Sequence, residues 1–141
     1  MEFLQQNWYW AALAAVSGAW LMADLIRNRG DKSQLSPVEA TMLVNREDAI
    51  IIDVREQGEF ARGHVQGALN IPLGELRAGG TALLDVRLPA GTREVVLVCQ
   101  SGMRSRVAQA ILSGDPTRTY LNLAGGMAAW QSHGLPIVRH D

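Results

Sequence analysis

One cysteine, Cys99, and one lysine, Lys32, are all that this chain of 141 residues contains of those two types. A single thiol excludes an internal disulfide, so nothing points to a small secreted fold held by cross-links. It also excludes a resolving thiol within the chain, so sulfur chemistry begun at Cys99 has to finish on an outside partner. Charge of either sign is sparse. Thirteen basic against fourteen acidic residues leave a formal charge of −1, without the basic field that nucleic-acid binding requires. The three histidines are scattered, and His133 and His140 read as surface residues too isolated to build a metal site. No internal repeat or low-complexity tract is present.

What the chain does have is one long apolar run. Trp8 to Ile26 reads WYWAALAAVSGAWLMADLI, with Asp24 its only charge and that within a turn of the end. At helical rise this segment covers ~28 Å, close to the ~30 Å hydrocarbon core of a bilayer. Trp8, Tyr9 and Trp10 cluster at one end as interfacial aromatics do, and Arg27, Arg29 and Lys32 follow the other. A cleaved secretory signal would need a basic region in front, which is absent, and a shorter apolar stretch. The expectation is therefore residues 1–7 as a short tail and residues 8–26 as a single transmembrane helix. By the positive-inside rule the N-terminus is outside and the C-terminal domain cytoplasmic, at the plasma (inner) membrane. Ala11, Ala15 and Ala19 form a small-residue stripe through which two copies could pair as a homodimer.

Residues 27–35 are polar, contain Gly30 and read as a linker. Residues 36–141 read as a soluble domain of about 105 residues, enough for a buried core. Ser36 as N-cap, Pro37 at the first helical position and Glu39 three residues on predict a helix from Pro37 to Asn45. Ile50–Ile52 running into Asp53, Val95–Val98 running into Cys99, Tyr120–Leu123 and the shorter Ala68–Asn70 predict buried strands. Between them, Met103, Val107, Ala110 and Ile111 fall on one face of a helix, read here as its apolar face. Strands alternating with helices predict an α/β fold: a mostly parallel central sheet with helices on both faces, preceded by the transmembrane helix.

Ligands in such sheets bind beyond the carboxyl ends of the strands. Cys99 follows a predicted strand there and opens the loop Cys99-Gln100-Ser101-Gly102-Met103-Arg104, with a helix starting at Gly102 or Met103. The positive end of that helix, loop N–H groups curled into an anion nest, and the charge of Arg104 all favour thiolate over thiol. A lone cysteine is more often core filler, but filler does not need a strand end in a loop of glycine and arginine.

Four stretches of this domain resemble the rhodanese family. They are Asp53-Val54-Arg55-Glu56 with Glu59-Phe60; Gly63 to Pro72 (GHVQGALNIP, with Val65 where isoleucine is commoner); Cys99 to Ser105 (CQSGMRS); and Leu123 to Trp130 (LAGGMAAW). Four in this order, spanning Ser36 to about Ile137, make the resemblance specific. It implies a rhodanese-type thiosulfate sulfurtransferase in which Cys99 takes a sulfane sulfur, becomes a persulfide and passes it on, with no metal or organic cofactor. Gln100, Ser101, Gly102, Met103, Arg104 and Ser105 would cradle the persulfide and bind substrate. Donors would be thiosulfate or glutathione persulfide, and acceptors cyanide, thiols or a protein. Cysteine-dependent phosphatases and arsenate reductases of related design use a loop one residue longer, so this one suits a single sulfur atom better than a phosphate. Asp53 and Arg55 read as a supporting site wall, held to each other and to neighbouring backbone. His64 is read as satisfying a turn, Trp130 as core with Met127, Gly125-Gly126 as a backbone requirement, Gly134 as a C-cap, and Glu56 and Glu59 as a solvated helix face. Two other roles fit the same residues: a sulfur relay serving one protein acceptor, and a membrane-tethered interaction module without catalysis.

Overall fold

The computed structural model describes residues 1–29 and 31–139; Gly30, counted in the linker, and His140, read as a surface residue, lie outside them. Two units make up the chain, Met1–Lys32 and Ser33–Asp141. In the first, a short helix α1 (Glu2–Gln6) precedes α2 (Trp8–Arg29). The stretch Trp8–Arg27 of α2 is long and apolar enough to cross a membrane, and none of it is buried within the chain. Asp24, the one acid in the run, pairs with Arg27 a turn later at 3.4 Å.

The second unit is a five-stranded sheet, all of whose pairings are parallel, with helices on both faces. Its elements are β1 (Gln34–Leu35), α3 (Pro37–Glu47), β2 (Ile50–Asp53), α4 (Gln57–Arg62), β3 (Leu69–Asn70), α5 (Leu73–Arg87), β4 (Glu94–Val98), α6 (Met103–Leu112), β5 (Thr119–Leu123) and α7 (Gly126–Ser132). Strand order is β1-β5-β4-β2-β3. The chain leaves β2 toward one edge and β4 toward the other, so the loops after these two strands flank the crevice at the switch point. Residues 34 and 35, expected in the linker, instead form the edge strand β1. Two residues are too few to show a period in sequence.

Alternation along the central strands sorts the core. Ile52, Val95, Leu97 and Cys99 face a cluster with Leu76 and Leu84 of α5 and Ala108 and Leu112 of α6. Ile51, Val96 and Val98 face the other side, against Ala40 of α3 and Met127 and Trp130 of α7. Each large side chain so buried contributes roughly 1.5–3 kcal/mol. Ser36 caps α3 as expected, its hydroxyl accepting from the Glu39 N–H at 3.2 Å.

The face assigned to α6 has to be corrected. Met103 is 75% exposed and Val107 40%, and Ala110 is also exposed. The buried stripe is Ser105, Ala108 and Leu112. Small side chains at its first two positions let the helix start lie close to the sheet, and that proximity outweighed the larger apolar stripe.

Among the described residues, two buried side-chain atoms lack a hydrogen-bond partner, Glu94 Oε2 and Arg118 Nε. Glu94 opens β4 with its Oε2 buried and without a hydrogen-bond partner. Burial, and then the Glu47 carboxylate beside it, hold its carboxyl above the ordinary value. Glu94 therefore binds its proton more tightly folded than unfolded, and the fold loses stability as rising pH ionises it. Glu94→Gln should raise the melting temperature at neutral pH by about 2–4 °C, the equivalent of roughly half a kcal/mol in a domain of this size. The gain should vanish below about pH 4. Thermal melts at both pH values check this, and an equal gain at both would remove the charge explanation.

Candidate active site

The last buried residue of β4 hands over to Cys99, itself 1% exposed. The following loop turns through Gly102 at φ 98°, a left-handed conformation that favours glycine, and α6 begins at Met103. This turn brings the Gly102 N–H to 2.9 Å from Cys99 Sγ and the Ser105 hydroxyl to 3.3 Å. Ser105 is fully buried, whereas Gln100, Ser101 and Met103 face outward.

The loop's carbonyls are taken from behind. Met127 N–H donates to the Cys99 carbonyl at 2.8 Å and Ala128 N–H to that of Gln100 at 3.1 Å. These belong to the first turn of α7, which can come so near only because Gly126 has no side chain. A Cβ there would lie 2.3 Å from the Cys99 oxygen, and Gly126 has φ +59° as well. The Gly125-Gly126 pair expected on backbone grounds thus sits against the loop that carries the thiol.

Burial alone would push the Cys99 thiol up. Hydrogen bonds from the Ser105 hydroxyl and from the N–H groups of Ser105, Gly102 and Ser101 overturn that and hold it below the ordinary thiol value. The N-terminus of α6 acts in the same sense.

Asp53 and Arg55 form a buried bidentate pair, with Nε to Oδ1 at 3.0 Å and Nη2 to Oδ2 at 2.8 Å. Asp53 also accepts the Arg55 N–H, and Arg55 donates to the Gly63 carbonyl at 2.7 Å. The expected bonding to each other and to backbone is met, and Arg55 additionally approaches Gln100 Oε1 at 3.5 Å.

Glu59 departs from its expected place on a solvated face. It grips Arg104 in a two-pronged pair at 2.7 and 2.9 Å. Hydrogen bonding to Arg104 lowers its carboxyl to about 2. The charge that Arg104 brings to the loop is thus paired, because α4 and α6 meet across the site. Glu56 does stay exposed and forms a capping box with Glu59 at the start of α4. His64 stacks on Phe60 at 3.7 Å and its Nδ1 meets the Phe60 carbonyl at 2.7 Å; its backbone pairs with Val138 in an antiparallel bridge, so it is not the turn residue expected. Trp130 is buried, its Nε1–H donating to the Pro136 carbonyl at 2.9 Å.

Sequence reading passed over Asn122. It stands on β5 beside Leu97, 1% exposed, and its Oδ1 makes a close contact with the Ser105 hydroxyl. Its signal was its place in Tyr120–Leu123, a polar residue in an otherwise buried strand. A polar cavity of about 300 Å³, lined by Arg55, Glu59, Arg62, Gly63, Gln100 and Gln131, opens beside the loop. Among the described residues no three His, Cys, Asp or Glu side chains cluster so as to hold a metal ion.

Comparison with known proteins places this arrangement. The Rhodanese-like domain model matches residues 36–133. A sulfurtransferase from Allochromatium vinosum is 38% identical over 98 residues, covering 68% of this chain and 84% of that one. A putative sulfur carrier protein from Bacillus subtilis is 31% identical over 80 residues, 57% of this chain and 40% of its own. Among solved structures, a rhodanese-related protein from Thermoplasma volcanium matches with a TM-score of 0.62 and 25% identity, over 74% of this chain and 96% of that one.

Gly126→Ala should drive its methyl group into the Cys99 carbonyl and unseat the loop. The expected loss is about 2–4 kcal/mol of stability from overpacking and left-handed strain together. Thiolate absorbance at 240 nm in whatever remains folded should titrate nearer the ordinary cysteine value. An unchanged titration would mean that α7 does not set the loop.

Proposed function

The chain belongs to the rhodanese-like family, and from that premise we propose that it moves sulfane sulfur through a Cys99 persulfide. Its relationship to sulfurtransferases and to a sulfur carrier supports a sulfur-transfer role. The observation that carries the mechanism is the Cys99 sulfur, buried at a strand end and met by the Gly102 N–H and the Ser105 hydroxyl.

The Cys99 thiolate attacks the outer sulfur of the donor. The bond from that sulfur to the rest of the donor breaks, and the departing group takes the electron pair: sulfite from thiosulfate, or a thiolate from glutathione persulfide. N–H groups from Gln100 to Ser105 hold the resulting anionic sulfur, as an oxyanion hole holds oxygen. A thiol, or cyanide, then attacks the outer sulfur, and Cys99 leaves as thiolate. Bonds and electrons balance over the cycle without an external oxidant. Asp53 and Arg55 brace the wall by fixing Gly63 against the loop.

Glu59 bears on the choice of donor. With Arg104 paired to Glu59 and Arg55 to Asp53, two of the arginines near the loop are largely neutralised, and Arg62 on the same cavity donates to the Gly58 carbonyl. This supports glutathione persulfide over thiosulfate as the better donor. Transfer to a protein acceptor is a second reading, favoured by the exposure of Met103 and Val107 beside the loop.

Residues 8–26 anchor the chain in the plasma membrane, with the N-terminus outside and the sulfur-transfer domain cytoplasmic. The apolar length of α2 and the basic residues after it support this, and the Ala11, Ala15 and Ala19 stripe supports pairing of two anchors.

Intact-mass measurement of the full chain should show a gain of one sulfur atom with glutathione persulfide, and a slower gain with thiosulfate, both reversed by cyanide. Cys99→Ser should gain none. A folded parent that gains no sulfur from either donor would leave the chain better described as a tethered interaction module. Protease added to intact cells should leave the C-terminal domain uncut, and cleavage there would reverse the orientation.

A further inference from the structure

Ser105 has one hydroxyl proton and three places to put it. Its Oγ lies in close contact with Asn122 Oδ1, 3.1 Å from the Gly102 carbonyl and 3.3 Å from Cys99 Sγ. The orientation of the Asn122 amide is fixed from its other end. Nδ2 donates to Gln34 Oε1 at 2.9 Å and to the Gly102 carbonyl at 3.3 Å, and a carbonyl can only accept. Oδ1 is thereby turned to Ser105, in a place where Asn122 and Ser105 are both buried.

The two ionisation states of Cys99 make opposite demands on this proton. With a thiol, the S–H donates to Ser105 Oγ and the hydroxyl donates onward to Asn122, each bond strengthening the next. With a thiolate, the sulfur needs the hydroxyl proton itself. Giving it up leaves Asn122 Oδ1 buried without the donor that meets it here, a costly arrangement. We propose that Asn122 is a positioning residue that holds the Ser105 proton back from Cys99 and so keeps the thiol from ionising too readily. This deepens, and rests on, the sulfur-transfer reading of the site.

The chemical use follows from thiol reactivity. A thiolate of very low pKa is abundant but weakly nucleophilic, and attack is fastest when the pKa lies near the ambient pH. The N–H groups and the start of α6 all push toward the thiolate, and Asn122 pushes back. When the sulfur is loaded, the negative charge moves to the outer atom, and the Ser105 proton returns to Asn122. The other charged or titratable groups around Cys99 are Asp53 at the end of β2, Arg55 just after it, Glu59 on α4, Arg104 on α6 and, in the same core, Tyr120 on β5. Changing Asn122 removes none of them.

The test uses the full chain in detergent, where one cysteine makes the 240 nm thiolate signal specific once the Cys99→Ser trace is subtracted. Asn122→Ala should raise the ionisation constant about three- to tenfold, lowering the pKa by about half to one unit, and should shift the pH profile of sulfur loading equally. Ser105→Ala should shift the pKa upward. The double variant should titrate like Ser105→Ala alone, because Asn122 acts only through that hydroxyl. An unchanged or raised pKa in Asn122→Ala, or the same downward shift without Ser105, would overturn the proposal. If Asn122→Ala fails to fold by circular dichroism, Asn122→Leu keeps the volume without the acceptor. Loading is weighed on the same samples, so titration as expected without sulfur gain would defeat the transfer reading and spare this one.

Discussion

The carbonyls of Cys99 and Gln100 point backward because two N–H groups of α7 hold them there, and the chemistry of the site depends on that. A peptide unit has its N–H and C=O on opposite sides, so fixing the oxygens outward helps to turn the loop's donors inward, toward the sulfur. Without α7 the carbonyls would be free to rotate toward an anion they repel. The requirement reaches far along the chain. Gly126 must lack a side chain, α7 must start where β5 ends, and Met127 and Trp130 must bury themselves under the sheet to keep the helix in place. A contact made 28 residues after Cys99 thus governs how its sulfur is solvated.

Stabilisation by neutral donors explains the treatment of charge around the loop. Arg55 and Arg104 both stand close by, and each is matched by a carboxylate, Asp53 or Glu59. Two bare guanidinium groups would stabilise any anion strongly and without discrimination. N–H groups at about 3 Å act over a shorter range and reward an atom in one position. They can stabilise sulfur before and after transfer without holding a highly charged donor or product. The ion pairs then serve as struts: Arg55 ties the end of α4 to the strand β2, and Arg104 ties α6 to α4.

Much of this was legible in sequence, and the reasons are local. Short β-branched runs ending in Asp53 and Cys99 marked the strands, Ser36 and Pro37 marked a helix start, and the Cys99 loop carried its own chemistry. What escaped depended on pairing between distant segments. Glu59 and Arg104 are 45 residues apart, and nothing in either neighbourhood names the partner. β1 is two residues long and exists because β5 offers an edge. The face of α6 was misjudged because hydrophobicity was weighed without the distance between helix and sheet. Ser105 and Ala108 bury themselves by being small, and Met103 and Val107 are left outside by being large. Asn122 drew no notice within the strand Tyr120–Leu123, although its amide lies within the site.

Burial of Cys99 has a consequence for the order of events. At 1% exposure Cys99 offers almost no surface to solvent before loading. In the proposed cycle a persulfide would add a terminal sulfur about 2 Å beyond Sγ, in a loop where Gln100, Ser101 and Met103 face solvent. On that reading the atom to be given away is the more accessible one, while the Cys99 sulfur stays under cover. An acceptor would then attack the outer sulfur in preference to the inner one, where attack would give a mixed disulfide and release hydrosulfide. For a chain with no second thiol to resolve such a disulfide, that steric bias substitutes for chemistry the sequence does not contain. On the same reading the exposed rim of the loop, more than the buried sulfur, would select who receives it.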